Sequence, residues 1–120
     1  MIEKVNLSEK FGLFSEHWSP KIAGEVNDSF VKLVKFRGDF VWHKHEDEDE
    51  MFLVVKGSIV IKLRDGDLTL GEGEFAIIPR GVEHKPYAKE EAHVLLFEPK
   101  TVLNTGDVVN ERTRPVLERI

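Results

Sequence analysis

Two histidines one residue apart, His43 and His45, are followed by five carboxylates in a row, Glu46 to Glu50. Imidazole nitrogens and carboxylate oxygens are the donors that divalent transition metals take from proteins, and the same groups move protons. Side chains along a strand alternate faces, so His43 and His45 share one face with Val41, while Phe40, Trp42 and Lys44 take the other. Two imidazoles placed that way can converge on one ion. The plainer alternative is a pair of partly exposed histidines beside a solvated acidic loop. Glu50 lies an odd number of residues beyond His45, which in one straight strand would turn it to the wrong face. Glu46 to Asp49, however, are polar enough to form a four-residue hairpin connection. Glu50 then opens the next strand and faces inward with Phe52 and Val54, leaving the other four carboxylates in solvent. A further imidazole, His84, follows the turn residues Pro79, Arg80 and Gly81. Proline presets one turn dihedral and glycine tolerates positive φ, so the chain can reverse there and His84 can begin a strand.

The elements that must position these groups are short apolar runs broken by turn residues. They are FVKLVKF (30–36), FVWHKH (40–45), MFLVV (51–55), SIVIKL (58–63), LTL (68–70), EFAIIP (74–79) and AHVLLFEP (92–99). Runs rich in Val, Ile and Phe at about ten-residue spacing, with Asp65-Gly66 as a tight hairpin signal, predict an antiparallel all-β sandwich or barrel. Residues 1–29 form an N-terminal arm, with a capped turn near Ser8 and an extended stretch around Pro20. Residues 101–120 form a polar tail that packs on the barrel or frays.

The chain has 120 residues, 41% of them hydrophobic, enough for one domain with its own core. Its formal charge of −5 speaks against contact with phosphate backbones or anionic lipid. No apolar run approaches the roughly 20 residues of a membrane-spanning helix. The first residues lack the apolar stretch of a secretion signal, so a cytoplasmic protein is expected. There is no cysteine, which excludes disulfides, thiolate metal sites and cysteine nucleophiles.

Two segments together resemble the paired motifs of the cupin superfamily. The first, written G(X)5HXH(X)3–4E(X)6G in that family, is matched by Gly38, His43-Lys44-His45, Glu50 and Gly57. The second, G(X)5PXG(X)2H(X)3N, is matched by Gly73, Pro79-Arg80-Gly81 and His84. Gly38 stands one residue closer to His43 than the motif has it, and Ala88 replaces an Asn that is not a ligand in the family. The resemblance implies a small jelly-roll barrel, or double-stranded β-helix, spanning residues 30–100. It also implies a divalent transition metal (Mn, Fe, Co, Ni, Cu or Zn) held by His43, His45, Glu50 and His84. Such an N/O donor set suits those metals better than Ca or Mg, and leaves positions open for a small ligand. The functions it implies are metal-dependent enzymes, either dioxygenases or isomerases and epimerases of the mannose-6-phosphate isomerase type. The other class is a non-catalytic module that binds a metal and a small ligand.

Val41, Phe52, Val54, His93 and Phe97 are the expected pocket residues. His93 and Phe97 qualify if they share the inner face with Leu95, although a histidine in such a run more often sits at a barrel rim. A phosphosugar enzyme would need lysines and arginines clustered at the pocket. Lys44, Lys62, Arg64 and Arg80 are the nearest candidates, and strand parity does not bring them together. A compact organic molecule is therefore the expected partner. Phe11, Phe14, Trp18 and Ile22 make the arm more apolar than a free tail, and a homodimer built through the arm is expected.

Overall fold

A computed structural model of the chain describes residues 2–120. One short helix, α1 (Leu7–Phe11), precedes seven strands. These are β1 (Lys21–Val26), β2 (Ser29–Asp39), β3 (Glu50–Lys56), β4 (Ser58–Leu63), β5 (Gly66–Gly71), β6 (Phe75–Ile78) and β7 (His84–Pro99). Pairing is antiparallel throughout, in the order β1-β2-β7-β3-β6, with β4 joining β5 to β7. The long strand β7 lets this sheet close on itself. Its C-terminal half lies between β2 and β3, and its N-terminal end pairs with β4. The result is the jelly-roll barrel that the spacing of apolar runs predicts.

The barrel interior holds Val34 and Phe36 from β2, Phe52 and Val54 from β3, Ile59 and Ile61 from β4, and Val94 and Leu96 from β7. The arm is part of the fold. Asn6 caps α1 by accepting from the Glu9 amide at 3.0 Å, where the sequence suggests Ser8 as the cap. Phe11 and Phe14 cover Leu33 on the outer face of the sheet. Trp18 crosses into the interior and stacks on Phe36 and Phe40, with centroids 4.3 and 4.8 Å apart. Its indole N–H donates to the Arg37 carbonyl at 2.8 Å. Phe11, Phe14, Trp18 and Ile22, the residues that suggested a dimer contact, are thus buried within their own chain.

Gly57 shows why the first motif ends in glycine. It joins β3 to β4 at φ +86°, and a Cβ there would lie 3.3–3.4 Å from Glu91 O and Ala92. Both the left-handed backbone and the close approach favour glycine.

Candidate metal centre

The stretch expected as a strand over 40–45 is irregular, and so is the rest of 40–49. It touches the sheet through a bridge between His43 and His84. The two residues exchange amide hydrogen bonds of 3.0 and 2.9 Å. That bridge sets the first histidine motif beside the start of β7; Glu50 opens β3 opposite Ile78 of β6, but the hairpin expected over 46–49 is not formed, because 40–45 is no strand and does not pair with β3. The acidic loop is held from two directions. The His45 carbonyl accepts from the Gly81 amide at 2.8 Å, and Asp49 accepts from the Arg80 amide at 2.9 Å. The turn of the second motif therefore clamps the loop of the first.

His43, His45, Glu50 and His84 are all buried, and each offers a ligand atom within 4.8 Å of the others. Of the carboxylates before Glu50, Glu46, Asp47 and Asp49 are exposed and Glu48 is half-buried. His43 Nδ1 is 2.8 Å from Val41 O, and His84 Nδ1 is 3.0 Å from Val82 O. A carbonyl can only accept, so both Nδ1 atoms carry the proton and both Nε2 atoms present a lone pair to the centre. His84 Nε2 lies 3.2 Å and His45 Nε2 3.4 Å from the same Glu50 Oε1. His45 Nε2 is buried with no hydrogen-bond partner. Lone pairs and a carboxylate oxygen crowded together in a dry interior are what a cation resolves. The donor set fits a divalent transition metal.

The electrostatics agree. Burial first, and then the neighbouring His84, lower His43 to about 4. Burial pushes the Glu50 carboxyl up, but the polar groups of Glu98, His45 and His84 packed around it outweigh that and hold Glu50 well below the usual range. At neutral pH His43 is therefore a neutral imidazole and Glu50 a carboxylate, the forms that bind metal. His43 has a consequence for the metal-free protein. The unfolded chain takes up this proton near 6.5 and the folded chain only near 4. Between those values the unfolded state binds more protons, so stability falls as pH falls. The loss from this one group is complete below about 4 and amounts to about 3 kcal/mol. Urea unfolding of metal-free protein between pH 7 and 4 measures it, and His43→Gln should flatten that slope.

A cavity of about 30 Å3, room for about two water molecules, adjoins the centre. Its walls include Trp18, Phe36, Phe40, Phe52, Leu96 and Glu98, together with His43 and Glu50. Of the expected pocket residues, Phe52 is in this wall. Val54 is deeper in the core, and Val41 packs beside the core and receives the His43 proton through its carbonyl. His93 and Phe97 require correction. Val94, Leu96 and Glu98 are the buried positions of β7, so His93 and Phe97 lie on the opposite face. His93 stacks on Phe11 at 4.5 Å and meets Glu91 at 3.2 Å, outside the barrel. Phe40, expected to point away from the ligands, lies edge-on to His43 at 5.5 Å. Strict alternation fails there because 40–49 is not a regular strand.

Sequence reasoning missed Glu98 and Lys32. Lys32 Nζ donates to Glu98 Oε1 at 2.7 Å, with both side chains 1% exposed. Burial, and then the Glu50 carboxylate, hold Glu98 well above the ordinary carboxylate range, with Lys32 pulling the other way. Glu98 Oε2 is buried without a hydrogen-bond partner. The sequence did carry a signal: charged residues inside apolar runs, Lys32 and Lys35 in FVKLVKF and Glu98 in HVLLFEP.

The tail also takes part. Asn104 lines the cavity, and its amide is engaged by Arg112 O at 2.9 Å and Arg114 N at 2.8 Å. Asp107 closes on the ligand segment, its amide donating to Lys44 O at 3.1 Å and its Oδ1 accepting from Lys44 N at 2.9 Å.

Barrel and site together define a jelly roll with a buried three-histidine, one-glutamate centre. The cupin domain family matches residues 30–99, and the chain belongs to that family. The YdbB protein of Bacillus subtilis is 39% identical over 62 residues, covering 51% of this chain and 55% of that protein. The 3-hydroxyanthranilate 3,4-dioxygenase of Ruegeria pomeroyi is 32% identical over 71 residues, 54% of this chain and 39% of the enzyme. The chain thus spans about half or less of these relatives' length. A crystal structure of a cupin-2 domain protein from Shewanella frigidimarina superposes with TM-score 0.79 at 51% identity, covering 80% of this chain and 94% of that one. Protein NMB1881 from Neisseria meningitidis superposes with TM-score 0.75 at 31% identity, covering 82% and 100%.

Proposed function

We propose that this protein is a metal-dependent cupin enzyme acting on a small organic molecule, with dioxygenase-type chemistry favoured over sugar isomerisation. The observation that carries the reading is the buried donor set His43, His45, Glu50 and His84 beside a mostly apolar cavity. A transition metal held by these four would supply Lewis acidity and, for iron or manganese, one-electron redox chemistry. The chain's own part is to hold the ligands in their binding protonation states, to exclude bulk water with Trp18, Phe36, Phe40 and Phe52, and to keep the cavity small. Likeness to a dioxygenase supports the oxidative branch. The isomerase branch loses support from the basic residues. No lysine or arginine lines the cavity among the described residues. Lys44, Lys62, Arg64 and Arg80 are instead paired with Glu46, Asp39, Glu83 and Asp49.

Metal analysis of purified protein, followed by oxygen uptake by the Fe(II)-loaded form against small catechols, thiols and amino acids, tests the reading. Bound transition metal and substrate-dependent uptake are expected. Turnover of a phosphosugar without uptake would reverse the choice of branch, and silence in both assays would favour a non-catalytic binding module. A homodimer in the cytoplasm belongs to the same proposal. Its support is the edge strand β6, where Phe75 and Ile77 are exposed, and a monomer by light scattering would remove it.

A further inference from the structure

The cavity beside the metal centre is too small for an organic molecule as it stands. It measures about 30 Å3, whereas an apolar cavity that admits benzene measures about 150 Å3. Part of its wall must move. Phe36, Phe52 and Leu96 are carried by β2, β3 and β7, each paired with a strand on both sides. Phe40 follows β2 directly, and its amide donates to Pro86 O at 2.9 Å. Trp18 is different. It comes from the arm, outside any strand, and its φ is +59°. A bulky residue in that region is strained, and the strain persists only where the surroundings over-determine it. Those surroundings are on view here. The Trp18 amide donates to Lys35 O at 2.9 Å and its indole N–H to Arg37 O at 2.8 Å. Just before it, His17 Nε2 meets Glu91 Oε1 at 2.7 Å, and Glu91 Oε2 meets His93 Nε2 at 3.2 Å. Just after it, Lys21 pairs with Glu16 at 3.0 Å and Glu118 at 3.1 Å. Residues 17–20 are thus a strap pinned at both ends, with a strained tryptophan between the pins.

We infer that Trp18 is the gate and the size filter of this cavity: its indole fills a slot against Phe36 and Phe40 that a planar ring of the substrate takes when the strap swings out. The inference rests on the function proposed above. The indole lies nearly flat on both rings, at 24° to Phe36 and 22° to Phe40. Once it leaves, the space behind it is flat, apolar and continuous with the cavity that His43 and Glu50 line. Such a slot takes a single flat ring in preference to a puckered one of the same length. Swinging out also releases the strained backbone, which lowers the cost of opening. Glu91 lies outside the barrel with 41% of its side chain exposed. It touches neither cavity nor ligand residues and acts through His17, so it is a positioning residue for the gate.

The test uses the full chain loaded with Co2+, in a Trp42→Phe background that leaves Trp18 as the sole tryptophan. Benzoate and cyclohexanecarboxylate are the probes, since they carry the same metal-seeking carboxylate on a flat and a puckered ring. In stopped flow, the visible d–d bands report arrival at the metal and indole emission reports Trp18. Benzoate is expected to shift the bands and, at the same rate, to move the emission to longer wavelength as the indole reaches water. Cyclohexanecarboxylate is expected to bind at least roughly tenfold more weakly. Glu91→Ala frees His17 and should speed both benzoate signals roughly three- to tenfold. Trp18→Ala should speed the band shift at least roughly tenfold. Band shifts with the Trp18 emission unmoved, or an unchanged rate in Glu91→Ala, would overturn the gate and leave Trp18 a fixed wall. Benzoate binding seen only in Trp18→Ala would do the same. Equal binding of the two probes would overturn the planar slot, and no response to benzoate in any variant would overturn the whole inference. If Trp18→Ala fails to fold, the emission and Glu91→Ala decide. Failure of the protein to take up Co2+ is a different result: it removes the metal-centre reading itself, and this inference with it.

Discussion

Glu50→Gln is expected to lower affinity for Co2+ or Zn2+ by at least roughly 100-fold, while Glu48→Gln leaves it unchanged. The two residues lie two apart in one acidic run but in opposite surroundings. Glu50 is 4% exposed, and its Oε1 lies 3.2 and 3.4 Å from the Nε2 atoms of His84 and His45. Glu48 accepts from the Thr101 hydroxyl at 2.7 Å, away from the four-residue cluster. Glutamine preserves size and one oxygen but removes the charge that a divalent ion needs in a dry site. Chelator competition measures both affinities. Circular dichroism of the metal-free variants separates lost binding from lost folding, since removing a buried negative charge should not unfold the barrel. Equal affinity for the two variants would mean that Glu50 is not a ligand.

Gly106→Ala is expected to destabilise the protein by about 3 kcal/mol and to weaken metal binding with it. Gly106 has φ +59°, where a side chain is strained. An added Cβ would overlap the Lys44 carbonyl oxygen and lie 3.0 Å from His43 Cδ2. Backbone blocks the way on one side and the His43 imidazole on the other, so relief must move either the tail or the segment from His43 to His45. Urea denaturation and Co2+ affinity, measured on the same variant, read the two consequences. Unchanged values for both would show that the tail does not brace the ligand segment.

The four metal-centre positions and the glycine, proline and strand rhythm around them were legible because each depends on short-range order. Turns need particular residues at particular offsets, and Glu50 is buried on one face of β3 with Phe52 and Val54 as alternation along that strand requires. The cavity wall was not legible in the same way. Parity along β7 can be read only when one face is apolar and the other polar. Here both faces are covered, the inner by the barrel core and the outer by Phe11 and Phe14, so Leu95 and Phe97 look as buried as Val94 and Leu96. The run alone therefore leaves the face of His93 open and does not single out Glu98. Phe40 was misplaced for a different reason, since 40–49 leaves the strand geometry on which alternation depends.

The linear order of residues is thus sufficient for the barrel class, the ligand types and their turn-defined spacing, because these rest on local backbone preferences and period-two patterning. It is insufficient for whatever distant segments bring to the same place. Trp18 from the arm, Lys32 and Glu98 from β2 and β7, and Asn104 and Gly106 from the tail meet around His43 and Glu50. Apart from the charges of Lys32 and Glu98 inside apolar runs, nothing in their local sequence distinguishes them from packing or surface residues. Their roles follow from sheet register and chain closure, which bury a charge beside a ligand and leave space for hydrogen alone at Gly106.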